Sequence, residues 1–267
     1  MDEKEFKKKI FGFYKKNGRV LPWRKTRNSY KILVSEIMLQ QTQVSRVLPK
    51  YQAFIKQYPD IGALAKASKK DVISIWSGLG YNRRALYLHS IACIVLEKYS
   101  GRIPKDPKIL SALPGIGENT AGAIYCFSQN KPILFIETNI RSVFLHEWFP
   151  KKKKVHDKEI IPLIEKTLDT KNSREWYYAL MDYGAYLKKN HKNPSRKSAH
   201  HIKQIPFEKS NRYIRGNILK ILLSGKTFSV DALQKKIQRK KTLIRKNLLS
   251  LEKEGFIVRK KNLFLIR

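Results

Sequence analysis

Cysteine, acidic side chains and long apolar runs are what this sequence has least of. Its 267 residues include two cysteines, too few for a thiolate zinc site or a four-thiolate cluster. Cys93 and Cys126 each lie in an apolar helical context, which suits buried free thiols in a reducing compartment. No apolar run reaches the length of a membrane span, and Met1-Asp2-Glu3-Lys4-Glu5 is charged where a signal peptide needs an apolar core. The expectation is a soluble, cytoplasmic protein without a membrane partner. Only 21 acidic residues stand against 56 Lys and Arg, for a net charge of +35, far beyond what solubility needs. A polyanion is the default partner, unless the chain comes from a generally basic proteome. The excess is spread: residues 206–267 hold 17 basic and 4 acidic side chains, or +13, which leaves +22 for residues 1–205.

What is present is a chain long enough for one large or two unequal domains, with 42% hydrophobic residues to fill a core. Its central stretch is Leu113-Pro114-Gly115-Ile116-Gly117-Glu118-Asn119-Thr120-Ala121-Gly122-Ala123. Two glycines two residues apart, ahead of a small and apolar run, read as helix, tight turn, helix. Such a turn leaves backbone N–H groups pointing outward at a helix N-terminus, so Gly115 and Gly117 make either a seat for a phosphate or a plain helical connection.

Upstream, residues 3–16 carry Phe6, Ile10, Phe11, Phe13 and Tyr14 at helical spacing and end at Asn17-Gly18. Pro22 then forces an extended entry and Trp23 reads as a core anchor. Residues 30–44 read as one helix with an anomaly, because Glu36 sits among Val34, Ile37, Met38 and Leu39. Either it faces solvent on an amphipathic helix, or it is desolvated and its pKa rises into the range a general acid needs. Short helices follow over 51–58, 61–67 and 71–76, the last with Ser68 as N-cap. Gly78-Leu79-Gly80-Tyr81-Asn82-Arg83-Arg84 sets an aromatic beside two cations, as in a loop that wedges bases and grips phosphates; Tyr81 could equally pack at a helix start.

Beyond Asn193 the composition turns polar and basic up to Pro206, which marks a linker. Helices at 213–223, 229–237 and 240–253, then Phe256-Ile257-Val258 and Leu263-Phe264-Leu265 as a hairpin, form the pattern of a winged helix. In the third helix Leu243, Ile244, Leu248, Leu249 and Leu251 are expected inward, with Lys241, Arg245 and Lys246 outward for DNA; a protein-docking winged helix is the alternative. The expected organisation is therefore all-α, with domains at 1–205 and 206–267.

Taken together, Leu21-Pro22-Trp23, Ser35-Glu36-Ile37-Met38-Leu39-Gln40-Gln41-Thr42-Gln43-Val44, Gly78-Leu79-Gly80-Tyr81, the 113–123 stretch and Met181-Asp182-Tyr183-Gly184-Ala185 resemble the MutY adenine glycosylases. These belong to the helix-hairpin-helix (HhH-GPD, endonuclease III-like) base-excision superfamily. The resemblance covers roughly residues 6–195, in the family's order and spacing. It implies a two-lobed helix-hairpin-helix fold and a prokaryotic, nucleoid-associated, monomeric enzyme acting on double-stranded DNA that holds a mismatched or damaged base. By the same resemblance Glu36 protonates the departing purine, Gln41 fills the space of the flipped nucleotide with Gln40 as a further DNA contact, and Tyr81 wedges beside the opposite base. Arg83, Thr120 and Arg141 join Gly115 and Gly117 among the implied DNA contacts, and Asn139 matches the catalytic segment.

Three departures qualify the likeness. The family's second catalytic group is an aspartate, and the matching position holds Glu137, longer by about 1.3–1.5 Å where a site tolerates about 0.5 Å. The pocket has shifted, or the substrate differs, or activity is lost. Asn119 stands where bifunctional relatives carry a Schiff-base lysine, so hydrolysis without a lyase step is expected. Lys188, Ser195 and Ser198 fall where three cysteines of the family's iron–sulfur cluster would be, so no cluster is expected. His191, His200 and His201 lack Cys or carboxylate partners for a replacement metal, and the analogy leaves room for a monovalent cation in the hairpin turn. A winged-helix pattern is expected where the family has its Nudix-like 8-oxoguanine reader, so recognition of that lesion is not carried over from the resemblance. Excision of adenine opposite guanine or 8-oxoguanine is the leading expectation; a uracil, thymine or modified-pyrimidine glycosylase, or an inactive lesion-binding protein, are the alternatives.

Overall fold

The computed structural model describes residues 2–203 and 205–267 and is helical apart from one hairpin. The helices are α1 Glu3–Asn17, α2 Ser29–Leu39, α3 Val44–Gln57, α4 Ile61–Ala65, α5 Lys69–Trp76, α6 Arg83–Tyr99, α7 Pro107–Ser111, α8 Glu118–Gln129, α9 Thr138–Glu147, α10 Asp157–Thr167, α11 Ser173–Asn190, α12 Asn211–Leu222, α13 Val230–Ile237 and α14 Lys241–Lys253. Strands β1 Ile257–Lys260 and β2 Leu263–Ile266 pair antiparallel, Ile257 opposite Ile266. Caps read from the sequence are made: the Ser68 hydroxyl accepts from the Asp71 N–H and that of Ser229 from the Ala232 N–H, each closing one orphan donor of a helix start.

Compactness divides the chain differently from composition. One unit comprises Met1–Glu36 and Pro104–Lys203, the other Ile37–Ile103 and Gln204–Arg267, so the division falls inside α2. A boundary does fall near residue 205, between Lys203 and Gln204, but the segment beyond it groups with residues 37–103 instead of standing alone. Ile73 of α5 and Leu86 of α6 share a core with Ile218 and Leu222 of α12, Leu248 of α14 and Phe256, and burying that common apolar surface joins the winged-helix segment to residues 37–103.

The first unit is built on aromatic packing between α1, α8, α9 and α11. Phe6 meets Trp148 edge-on at 4.3 Å between centroids, and Phe127 stacks on Tyr178 at 4.4 Å. Where α9 meets α11, Gly184 lets the backbones touch: a Cβ there would collide with the carbonyl oxygen of Asn139 and sit 2.7 Å from its carbon. Asp182, on the same helix, is a buried hub. Its carboxylate accepts from the Arg19 backbone N–H at 2.7 Å and Nε at 2.6 Å, and from both Arg24 terminal nitrogens at 2.8 Å. Burial pushes the Asp182 pKa up, but those bonds from Arg24 and Arg19 outweigh it and hold the group below the usual carboxylate value.

Two sequence expectations are corrected. Residues 30–44 are two helices separated by Gln40–Gln43, because the buried Arg84 guanidinium takes the carbonyls that would continue α2. On α14, Leu243 and Leu249 are exposed, Leu249 by 59%, while Asn247 is buried beside Ile244, Leu248 and Leu251. The helical repeat carries position 249 off the inner face, and Asn247 is accommodated because its amide donates to the Leu243 carbonyl at 2.8 Å.

Candidate active site

In the first unit Glu36 and Glu137 come close enough for their charges to interact. Glu36 lies on α2 between the buried Ser35 and Ile37 and is itself part-buried. Burial first, and the negative charge of Glu137 second, push its carboxyl up to about 8, against a smaller opposing pull from the Arg24 guanidinium. Of its two sequence readings, the desolvated one holds. A carboxyl with that pKa stays protonated at neutral pH and has a proton to give.

Glu137 is placed by a different rule. It is the N-cap of α9, and its Oε1 accepts from the N–H groups of Asn139 at 2.7 Å and Ile140 at 2.8 Å, while Oε2 accepts from the Asn139 amide at 3.2 Å. Three donors at the start of a helix fix the position of this side chain. One carboxyl pushed up by burial, beside a second one bound at a helix start, is an arrangement from which separate acid and charge-stabilising roles can arise.

Asn119 and Asn139 position this pair. The Asn119 side-chain oxygen accepts from the Ile136 N–H at 2.9 Å, tying the first turn of α8 to the residue before Glu137. The Asn139 oxygen accepts from Lys188 Nζ at 2.8 Å. Lys188 is mostly buried, which lowers its pKa against the raising effect of Glu137. The sequence has Lys188 only at a cluster position and not as a neighbour of Glu137–Asn139; its spacing of one helical turn from Gly184 is the available signal.

The other expected residues are distributed as follows. Gly115 takes φ 74°, a left-handed turn closed by the Ile116 N–H donating to the Leu113 carbonyl at 3.1 Å, and Gly117 caps α8 ahead of Thr120. Arg141, expected on DNA, forms a two-pronged pair with Asp157 at 2.7 Å per bond. In the second unit Arg83 pairs with Glu254 at 2.8 Å. Arg84, expected as a phosphate grip, is instead buried. It donates to the carbonyls of Ile37, Met38, Gln40, Gly80 and Tyr81 and to the Thr42 hydroxyl, so one side chain fixes both the Gln40–Gln41 and the Gly80–Tyr81 turns. Gln41 and Tyr81 both adopt left-handed backbone, φ 54° and 46°. On α14, Arg245 is exposed and Lys241 pairs with Asp231.

The positions matching cluster cysteines do not fit a metal cluster. Lys188 serves Asn139, Ser195 Oγ meets Ser142 Oγ at 2.6 Å, and Ser198 bridges to Val155. No group of three His, Cys, Asp or Glu side chains among the described residues is arranged to hold a metal. Likewise, no helix among the described residues is long and apolar enough to cross a membrane.

The family model described as HhH-GPD superfamily base excision DNA repair protein matches residues 34–168, a span that includes Glu36, the hairpin and Glu137. An adenine DNA glycosylase of Buchnera aphidicola subsp. Baizongia pistaciae is 37% identical over 187 residues, 68% of this chain and 52% of the relative. One from Mycolicibacterium smegmatis is 42% identical over 135 residues, 50% of this chain and 46% of the relative. The chain spans about half the length of these curated relatives. A solved thermostable thymine-DNA glycosylase superposes with a TM-score of 0.61 at 28% identity, covering 68% of this chain and 86% of its own. An endonuclease III–DNA covalent intermediate superposes at 0.59 and 16% identity, covering 70% and 87%, a likeness of fold.

Proposed function

The chain belongs to the HhH-GPD superfamily of base excision DNA repair proteins, and from that membership we propose that it is a monofunctional DNA N-glycosylase acting on extrahelical adenine mispaired with guanine or 8-oxoguanine. The observation that carries the proposal is the Glu36–Glu137 pair, one carboxyl held protonated up to about pH 8 and the other capping a helix. A glycosidic bond is out of reach inside the base stack, so the nucleotide must first be flipped. Glu36 then gives its proton to a ring nitrogen of the base as the bond to the sugar carbon breaks and its electron pair leaves with the base. The positive charge left on the sugar is stabilised by ionised Glu137. Water adds to the sugar carbon and returns a proton to Glu36, so the enzyme ends as it began and the product is an abasic site.

The partner this implies is double-stranded DNA, with Gln40, Gln41 and Tyr81 at the vacated pair, and the hairpin around Gly115, Gly117 and Thr120 on the backbone. Lys241 and Arg245 on α14 add phosphate contacts, which suits the net charge of +35. No step needs a metal or cluster. Asn119 in the lysine position leaves no amine there for a lyase step.

Single-turnover base release from duplexes carrying A opposite 8-oxoguanine or G, and T or U opposite G, with alkali to reveal abasic sites, tests this. Adenine release abolished by both Glu36→Gln and Glu137→Ala is expected. Tight binding with no release from any duplex refutes it. Release of thymine alone would favour the second reading, which the likeness to the thymine-DNA glycosylase supports.

A further inference from the structure

Within the second unit, two cavities of about 480 and 620 Å³ flank one pair of side chains, Tyr81 and Arg212. Both volumes lie within the roughly 300–1,000 Å³ of small-ligand sites. Arg212, on α12, donates to the Tyr81 hydroxyl at 2.7 Å, and its guanidinium carbon lies 5.2 Å from the ring centroid. Gln41 lines both cavities as well.

Three features show what such a site would hold. Its walls are rich in donors: Arg83, Arg212, Arg215 and Lys246 face one carboxylate, Glu254, which burial would push up but which Arg83, Arg215 and Ser250 hold down at about 2. A ligand there must offer acceptors. The Tyr81 ring is held by its hydroxyl, as a stacking platform for a base requires. Finally, Gln41 and Tyr81 keep left-handed backbone without being glycine, at a cost of the order of 1 kcal/mol each. Ser100, Asn130 and Gln238 do so as helix C-caps and Lys261 in the hairpin turn, whereas Gln41 and Tyr81 stand in the two turns that Arg84 joins.

We propose that α12 completes a reading site for the strand that keeps its base: Arg212, with Gln41 and Tyr81, receives the orphaned base opposite the excised one, a 6-oxopurine presenting neighbouring acceptors on one edge. Arginine paired with two adjacent acceptors of guanine is the commonest specific contact between protein and base. The inference rests on the reading that the chain acts on an extrahelical nucleotide. It gives the C-terminal segment, which lies outside the family match at 34–168, a part in choosing the substrate.

The test is equilibrium binding to duplexes in which a non-hydrolysable abasic analogue faces G, 8-oxoguanine, C or T, so that no chemistry is required. Wild type is expected to bind the two purine duplexes about tenfold tighter than the pyrimidine ones. Arg212→Ala and Arg212→Lys should bring the four duplexes within about twofold of each other, since the lysine keeps the charge and loses the planar fork. Tyr81→Phe, which keeps the ring, should lose part of the preference. Thermal unfolding of each variant identifies any that fails to fold, and Tyr81→Phe, the smallest change, then carries the test. No purine preference in wild type overturns the proposal, as does an Arg212→Ala loss equal on all four duplexes, the mark of a phosphate contact. If the preference stands and no base is released from any cleavable duplex, the glycosylase reading fails and the site remains.

Discussion

Replacing Glu36 by glutamine should stabilise the protein while removing its chemistry. The carboxyl titrates near 4.5 when unfolded and near 8 in the fold. A raised pKa contributes stability that is complete below pH 4.5 and is lost as pH rises through 8. Each pH unit in that window costs about 1.4 kcal/mol, or about 3 kcal/mol at pH 7 for a fully enclosed group. Water reaches the part-buried side chain and screens some of this, which leaves about 2 kcal/mol as the expected gain of Glu36→Gln at pH 7. Urea unfolding of both proteins at half-unit steps from pH 4 to 9 measures it. The curves should meet near pH 4, diverge steadily to pH 8 and run parallel above. Base release by wild type should fall about tenfold per pH unit above 8, as the acid deprotonates. Stability curves that stay parallel throughout would refute the desolvation on which the acid role depends.

Other substitutions probe the supports of the site. Asp182→Asn strips the countercharge from Arg19 and Arg24 and should cost about 3 kcal/mol or more in urea unfolding; in wild type the same contribution should fade as pH drops below about 4, because the pKa is depressed. Gly184→Ala drives a methyl into the Asn139 carbonyl and should cost about 1–3 kcal/mol, with base release falling further than stability because Glu137 moves with its helix. Arg84→Met leaves several carbonyls without a donor and should destabilise by about 2–3 kcal/mol, and 2-aminopurine fluorescence should report weaker base flipping as the Gln41 and Tyr81 turns relax.

The parts of this protein governed by neighbours in sequence were legible before any coordinates. Ser68 and Ser229 announce their helices, Gly115 its turn, and Glu36 its oddity among apolar residues, since each depends on residues within one or two turns. What escaped depends on distant partners. The break after Leu39 is made by Arg84, more than forty residues on, and nothing in residues 30–44 signals it. The choice between a solvated and a buried Glu36 turns first on how the chain packs over it and second on Glu137, about a hundred residues further along. The common core of Ile73 and Leu86 with α12 and α14 likewise links distant segments, so composition marks the break near residue 205 but not that the segment beyond it packs with residues 37–103.

The two carboxylates also differ in how they would fare under drift. Glu137 closes a helix, so selection for a folded protein would by itself keep a capping side chain at that position, with or without a reaction to perform. Glu36 has no such protection: at neutral pH it weakens the fold, and glutamine of nearly the same shape is one nucleotide change away. In a lineage that had abandoned the chemistry, position 36 would be among the first to decay. An acid kept there at a cost to stability is what the proposed chemistry would demand of this position.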